Sequence, residues 1–270
     1  MRRNGALLRL RGAFPVTLTW SLLALFSTLL SSCTPDPRTT LERIQATKLL
    51  RVGTDATYPP FETIDPKSGQ LVGFDIDLLR ALGRSLGAET EFIVVPFDGI
   101  IAGLKGGKYD AIASALTITP ERAAEVLFTA PYAAAGQSIA VRANDGSITD
   151  FEGLVRRKIG VQLGTTGELE AEKAIGAQVV SFDAIGNAFR DLENRNVDAV
   201  IADTPTARLF QREHGSIRIV GAPLTNEEYG IALRSSDATL KAAFDRELAA
   251  MQQSGELSKL LEKWGFEPTP

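Results

Sequence analysis

Cysteine and histidine are almost absent from this chain of 270 residues, which has one of each, Cys33 and His214. A single cysteine provides no intrachain disulfide, and the two residues cannot supply a Cys/His cluster with the spacing of metal ligands. A Ser-His-Asp triad would have to use His214, which lies in a polar Glu-His-Gly turn and favours no catalytic role. We therefore expect no metal, no cofactor, and a stability that comes from the hydrophobic core.

Basic residues are scarce beyond the N-terminus. Residues 1–32 contain four arginines and no acid, so the 25 basic residues that remain (29 less four) face 33 acidic ones, a net charge of −8 with His214 neutral. This charge argues against a nucleic-acid partner. The 44% of hydrophobic residues is enough for the core of one or two domains.

The chain also lacks a long uninterrupted apolar span. A basic start is followed by an interrupted apolar run over residues 14–30 and by small residues before Cys33, which is typical of a signal peptide. The segment Leu-Ser-Ser-Cys matches the lipoprotein signal pattern of bacteria, which implies cleavage before Cys33 and lipid attachment to it. A signal anchor with an incidental cysteine is the alternative. We expect an exported protein with a signal peptide over 1–32 and a lipidated cysteine and tether over 33–44.

A stretch of mixed character, DAIASALTITPER over 110–122, predicts a buried strand that runs through a loop into a helix. Thr119 is the expected N-cap, and Pro120 falls at the first helical position. Arg122 then lies in the first turn, where a cation is mildly unfavourable and needs an anion nearby. That anion is either a neighbouring glutamate or the carboxylate of a ligand.

Small polar residues follow the predicted strands. Ser114 and Thr117 lie at the carboxyl end of a strand, where open α/β sheets usually hold ligands. Asp55, Tyr58 and Phe61 lie on a proline-stiffened loop after the first strand. They either line a pocket, or the aromatic rings cap the core while Asp55 accepts backbone hydrogen bonds in a turn.

Local sequence patterns also predict the structure of two further segments, residues 74–86 and 133–136. Apolar residues at helical spacing predict a helix over 74–86 that ends at Gly87, and we interpret Asp75 and Asp77 as charges that complement its start. The small residues of 133–136 are either an extended crossover between two lobes or a flat inner strand.

In the second half, a strand over 158–162 leads through Gly164, Thr165 and Thr166 to Glu168 at a predicted helix start. Free amides there could bind an anion, although an ordinary threonine-capped helix explains the same residues. The loop lacks the lysine of a P-loop and the spacing of a dinucleotide fingerprint.

An internal correspondence indicates two equivalent α/β lobes. LKGGKYDAIASA over 104–115 parallels LENRNVDAVIAD over 192–203 at a constant offset of 88 residues. Asp203 then stands where Ala115 stands in the first copy, and it could bind an ammonium group or cap the following helix. Together with Arg122 and the helix start, it matches the two ends of an α-amino acid zwitterion.

From about Leu49 to Phe266 the sequence resembles the solute-binding proteins of bacterial ABC importers for polar amino acids. The most specific motif is GFDIDLLRALGRSL, and GTDATYPPF, DAIASALTITPER, GVQLGTTGE and DAVIAD occur in the family's order. The resemblance implies an α/β periplasmic-binding-protein fold of type II, with two lobes of mixed sheet and flanking helices joined by two hinge strands. The expected boundaries are 45–136 and 227–270 for the first lobe and 137–226 for the second.

The resemblance also implies nine residues that bind an amino acid: Arg122 with the backbone amides of Thr165 and Thr166 for the α-carboxylate, Ser114, Thr117 and Asp203 for the α-ammonium, Tyr58 and Phe97 on either side of the side chain, and Asp55 at its far polar end. The chain departs from the family at Ala115, often a second serine, at Ala202, often polar, and at Gln162, often aliphatic. An acid at Asp55 and an amide at Gln162 suit a cationic or amide side chain.

Two functions compete. The first is a lipid-anchored, monomeric binding protein that delivers an amino acid to the permease subunits of an ABC importer. The second is an enzyme on the same fold, because the fold resembles that of cyclohexadienyl dehydratases, whose acid catalyst lies near the position of Glu168. A general acid would need a raised pKa and access to the substrate, whereas Glu168 is also a good helix-start residue.

Overall fold

The structure, a computed structural model, describes residues 38–266. The predicted signal peptide, the predicted lipidation site at Cys33 and the last four residues lie outside this range. The helices are α1 (Thr40–Thr47), α2 (Phe74–Ser85), α3 (Ile100–Lys105), α4 (Pro120–Glu125), α5 (Thr166–Glu172), α6 (Ile185–Glu193), α7 (Thr204–His214), α8 (Ala238–Ser254) and α9 (Glu256–Lys263). Within 38–266, no helix combines the length and the apolar character needed to span a bilayer.

The strands are short and fall into two larger and two smaller sheets in the described range. They are β1 (Leu49–Thr54), β2 (Thr57–Tyr58), β3 (Glu62–Ile64), β4 (Leu71–Val72), β5 (Glu89–Val94), β6 (Ala111–Ile112), β7 (Leu127–Phe128), β8 (Ala133–Ala135), β9 (Gln137–Arg142), β10 (Lys158–Gln162), β11 (Gln178–Phe182), β12 (Ala199–Asp203), β13 (Ile217–Val220), β14 (Glu227–Tyr229) and β15 (Ala232–Leu233).

The two larger sheets have the same topology, and we call the parts built around them the first and second lobes. The first sheet has the order β5-β1-β6-β15-β7 and the second the order β11-β10-β12-β9-β13. In each, the first three strands are parallel and the fourth is antiparallel to both of its neighbours. The predicted fold class, an α/β protein of two lobes with mixed sheets, is confirmed.

The internal correspondence at an offset of 88 residues is present in the hydrogen bonds. The amide of Asp110 donates to the carbonyl of Arg51 at 2.9 Å, and its carboxylate accepts from the amide of Arg51 at 3.1 Å. Asp198 makes the same pair of bonds with Lys158, at 2.8 Å and 3.0 Å. The two Asp-Ala pairs therefore begin equivalent strands, β6 and β12.

Two strands run between the lobes. β8 follows β7, where the chain leaves the first lobe for the second. It pairs antiparallel with β14, where the chain returns to the first lobe. The small residues of 133–136 are thus a crossover, and the alternative of an inner strand is wrong. Gly136 is required there, because a Cβ at this position would lie 2.1 Å from the carbonyl oxygen of Thr225.

The aromatic core of the first lobe separates the residues of the loop after β1. Phe61 is completely buried and packs against Phe74, Tyr229 and Phe266, with ring centroids at 6.5, 5.1 and 5.0 Å. Tyr58 instead points its hydroxyl at Asp203 at the end of β12, in the second lobe. The two alternatives for this loop therefore both hold, one for each aromatic residue.

Candidate functional site: a closed cleft between two sheets

The carboxyl ends of the central strands of both sheets meet at a narrow cleft. Its free volume is about 10 Å³, and it is lined by Tyr58, Phe97, Ser114, Ala115, Thr117, Arg122, Gln162, Thr165, Thr166 and Asp203. Eight of the nine residues expected to bind an amino acid are among them. The ninth, Asp55, hydrogen-bonds to the lining residue Gln162. The residues implied by the family resemblance are thus residues that the fold brings together.

Arg122 bridges the lobes through backbone oxygens. Its Nη1 donates to the carbonyl of Thr117 at 2.8 Å, and its Nη2 donates across the cleft to the carbonyl of Gly164 at 3.1 Å. The guanidinium lies over the ring of Phe97, 5.4 Å from the centroid. Burial lowers the pKa of Arg122 against the opposing influence of nearby carboxylates. Of the two glutamates expected as partners of Arg122, Glu125 pairs with Lys105 instead, whereas the charge of Glu121 acts on Arg122.

Asp203 is the centre of a buried phenol network. Its two carboxylate oxygens accept hydrogen bonds from the hydroxyls of Tyr58 and Tyr229, and its amide donates to the Tyr58 oxygen at 3.1 Å. The side chain makes no capping bond to α7, so the capping alternative is wrong. Burial raises the pKa of Asp203, while the two phenol hydrogen bonds oppose that rise. The group is therefore an acceptor held rigidly at the cleft.

Asp55 and Gln162 form the other end of the cleft. The amide nitrogen of Gln162 donates to Asp55 at 3.0 Å and to the carbonyl of Asp183 at 3.1 Å. Both partners can only accept hydrogen bonds, which fixes the orientation of the Gln162 amide. The amide oxygen of Gln162 is buried and has no hydrogen-bond partner among the described residues. Burial raises the pKa of Asp55. This end of the cleft offers acceptor oxygens, which match a donor-rich ligand group.

The start of α5 is capped as an ordinary helix. Thr165 accepts from the amide of Glu168 at 3.3 Å, and the Glu168 carboxylate accepts from the amide of Gly164 at 2.7 Å. Thr165 also makes a long bond of 3.4 Å from its amide to the carbonyl of Gln162. The amide of Thr166 belongs to the first turn, which has no intrahelical acceptor. Glu168 therefore acts as a helix-start residue, while Thr166 keeps a donor available for an anion.

The two acids predicted to complement the start of α2 both lie in its first turn, but Asp75 has an additional role. Asp77 is partly exposed and pairs with Lys263 at 2.6 Å, whereas Asp75 is completely buried. Its carboxylate accepts from the amide of Ala115 at 2.8 Å and from the hydroxyl of Tyr132 at 3.0 Å. Residues two apart on a helix face different directions, so only one of the two could face solvent. Asp75 thus supports the loop at Ala115, whose φ is +44°.

Glu62 is a second buried acid that sequence reasoning missed. The hydroxyl of Ser114 donates to it at 2.7 Å, and Ser114 in turn accepts from the amide of Asp55 at 3.0 Å. Burial and the charge of Asp75 raise the pKa of Glu62 well above its usual range. Burial likewise raises the pKa of Asp75, to about 7. The only signal in the sequence was the position of Glu62 directly after the core residue Phe61.

A match to a protein family covers almost all of the described range. Residues 50–267 match the bacterial extracellular solute-binding proteins, family 3. The chain belongs to this family. As a family 3 solute-binding protein it acts outside the cytoplasm, and the predicted family is confirmed.

Three relatives of this solute-binding protein show what similar chains bind. This chain is 35% identical over 225 residues to the ABC transporter arginine-binding protein 1 of Escherichia coli (strain K12), and the match covers 81% of this chain and 91% of the relative. A mutant of ArgBP from T. maritima superposes with a TM-score of 0.80 at 40% identity, covering 83% of this chain and 98% of that one. The ancestral amino acid-binding protein AncCDT-1, a precursor of cyclohexadienyl dehydratase, has a TM-score of 0.79 at 40% identity, covering 84% and 99%. Because this last neighbour is itself a binding protein, it lends no support to the dehydratase alternative.

Proposed function

We propose that this solute-binding protein captures a cationic L-amino acid, with arginine preferred, in the cleft and delivers it to the permease of an ABC importer. The observation that carries the proposal is the acceptor-only end of the cleft. Asp55 and the partnerless oxygen of Gln162 suit the N–H groups of a guanidinium or ammonium. An amide side chain satisfies them less fully, because it carries no charge.

The main-chain groups of the ligand have matching partners at the other end. Arg122 and the first-turn amide of Thr166 would bind the α-carboxylate. The carboxylate would replace the carbonyl of Gly164 as a hydrogen-bond acceptor for the Arg122 guanidinium. Asp203, with Ser114 and Thr117, would accept from the α-ammonium. In this pose, Tyr58 and Phe97 flank the ligand side chain.

The charges in the cleft favour a ligand with net positive charge. The carboxylates of Asp203 and Glu227 act on the guanidinium of Arg122, and Asp55 adds a third carboxylate beside the lining residue Gln162. A zwitterion alone leaves this imbalance unchanged, whereas a cationic side chain reduces it. Relatives named for arginine binding agree with this preference.

Binding also requires that the lobes move. A free volume of about 10 Å³ holds no more than one water molecule, so an amino acid must enter while the cleft is open. The two strands β8 and β14 are the connection about which such a hinge motion would occur.

Export and anchoring belong to the same proposal. The N-terminal sequence favours a signal peptide over 1–32 and a lipid on Cys33. The tether predicted over 33–44 would be shorter, because α1 begins at Thr40 and Ile44 is completely buried. We also propose a monomer, with the first lobe extended at its start to include α1 and the other lobe bounds as expected from the sequence. Membrane retention of the full-length protein in a bacterial host, lost in Cys33→Ser, tests the anchor. Retention that persists in the variant would point to a signal anchor.

The first experiment is a thermal-shift and calorimetric screen of residues 34–270 against the twenty amino acids, ornithine and prephenate. A ligand at about a hundred times its dissociation constant stabilises the fold by roughly 2.7 kcal/mol, which is readily visible. We expect arginine to give the largest shift, followed by lysine and ornithine. No shift with any amino acid, together with turnover of prephenate, would overturn the proposal.

A matched pair of variants tests the far end of the cleft. Asp55→Asn should weaken arginine binding by about ten- to a hundredfold and glutamine binding far less, because a charge-assisted hydrogen bond is lost. Asp98→Asn removes an exposed carboxylate whose charge also acts on Asp55, and we expect less than a threefold effect. Equal losses for arginine and glutamine in Asp55→Asn would place the cationic group elsewhere.

A further inference from the structure

Glu227, the first residue of β14, joins two expected ligand residues on opposite sides of the cleft. Its Oε2 accepts from the hydroxyl of Thr117 at 2.7 Å and from the hydroxyl of Thr166 at 2.9 Å. Its Oε1 accepts from the hydroxyl of Thr225 at 2.8 Å, and only 8% of the residue is exposed. Nothing in the family resemblance drew attention to this acid.

The carboxylate fixes the direction of both threonine hydrogen bonds. A hydroxyl has one hydrogen to donate and two lone pairs, whereas an ionised carboxylate can only accept. Thr117 and Thr166 therefore both donate their hydroxyl hydrogens to Glu227. Gln137 occupies a lone pair of Thr166 by donating at 3.0 Å, so the oxygen of Thr117 has the greater free capacity. Toward a ligand, Thr117 is an acceptor.

We propose that Glu227 is a positioning residue that makes Thr117 an obligate acceptor and so selects ligands with an α-ammonium group. The inference rests on the proposed function, because it concerns the same cleft. An ammonium donates to such an oxygen, whereas a ligand without the α-amino group has no hydrogen to offer there. Glu227 thus contributes to amino-acid recognition without touching the ligand.

A purely structural role for Glu227 is the competing explanation. The same bonds tie the return strand to the start of α5, so their loss could loosen the closed cleft. That effect would weaken every ligand of the cleft by a similar factor. Selection of the α-ammonium, in contrast, predicts a change in the ratio of two affinities.

The test compares L-arginine with 5-guanidinopentanoic acid, which is arginine without its α-amino group. Calorimetry on the wild type, Glu227→Gln and the exposed neighbour Glu228→Gln gives both dissociation constants. We expect Glu227→Gln to weaken arginine by about ten- to a hundredfold and the analogue by less than about threefold, because an amide can donate to Thr117 and reverse its polarity. Glu228→Gln should leave both affinities unchanged.

A second variant keeps the test decisive if Glu227→Gln does not fold. Thr117→Val retains the shape of the side chain and removes the acceptor, so it should lower the same affinity ratio by about tenfold. In the double variant the two losses should not add, because both act through one hydroxyl. An unchanged ratio in folded Glu227→Gln, or in Thr117→Val where Glu227→Gln does not fold, overturns the role of Glu227. A wild type that binds no amino acid overturns the proposed function instead.

Discussion

At the scale of single residues, the most unusual feature is the pair of buried acids beneath the cleft. Glu62 and Asp75 are completely buried, and each has one carboxylate oxygen without a hydrogen-bond partner in the described part of the chain. Burial raises both pKa values, that of Asp75 to about 7. Between the unfolded value of about 4 and the folded value, the native state binds more protons than the unfolded state. The contribution of this pair to stability therefore falls as the pH rises from about 4 through about 7.

Glu62→Gln should reduce this pH dependence. It removes one of the two buried charges but keeps an oxygen that can accept from Ser114. We expect the variant to be more stable than the wild type at pH 8, by on the order of 1 to 2 kcal/mol, and to lose the advantage at pH 5. Urea unfolding at both pH values measures the difference, with the exposed Glu89→Gln as the matched control. Identical pH slopes in the wild type and Glu62→Gln would show that the pair carries no extra proton.

These residues also mark the limit of what the sequence predicts. Asp55, Ser114 and Asp203 were predictable because they lie at or just after the carboxyl ends of strands, and those ends meet at the cleft. The partners of Asp75 and Glu227 were not, since Ala115 and Thr117 come close to them only after distant segments pack together. Local sequence signals predict where a helix starts. They do not predict which side of that helix will contact a loop from a distant part of the chain.

At the scale of elements, the internal correspondence was visible in the sequence, but the different surroundings of its two aspartates were not. Asp110 and Asp198 make equivalent backbone bonds, yet their surroundings differ. The Asp110 side chain is fully buried among Arg43, Arg51 and Arg234, at 2.5, 2.9 and 3.6 Å. Burial alone would raise the pKa of Asp110, but the hydrogen bonds from the arginines outweigh it and the pKa is lowered.

Asp110 therefore fastens α1, β1 and the segment after β15 to the first sheet, and its loss should be severe. We expect Asp110→Asn to reduce the free energy of unfolding by about 3 kcal/mol, because Arg43 and Arg51 lose their buried anion and Arg234 loses one of its two. Asp198 is 35% exposed at its side chain, so Asp198→Asn should cost less than about 1 kcal/mol. Chemical denaturation of the two variants at neutral pH is the measurement. Similar losses in both would mean that the shared backbone bonds, and not the arginines, dominate.

At the scale of the whole molecule, the closed cleft is held by contacts between the lobes. Gln162 reaches Asp55, Arg122 reaches Gly164, and Tyr58 reaches Asp203. Each of these contacts uses a group that the proposed ligand also needs. A ligand therefore replaces contacts between the lobes instead of adding to them, and entry depends on how readily the lobes separate.

A crosslink across the mouth of the cleft should block that separation. A Cβ built on Gly164 lies 3.4 Å from the Cβ of Asp98 on the other lobe, close to the 3.5 to 4.5 Å or so that a disulfide spans. Asp98→Cys with Gly164→Cys, in a Cys33→Ser background, should bind arginine when reduced and lose most binding when oxidised in its absence. Gly164 has a φ of +78°, so the new cysteine costs about 1 to 2 kcal/mol, and Gly164→Cys alone is the control for this strain. Radiolabelled arginine binding before and after reduction decides the question. Equal binding in both states would mean that arginine enters without separation of the lobes at this edge, and the hinge mechanism would then be wrong.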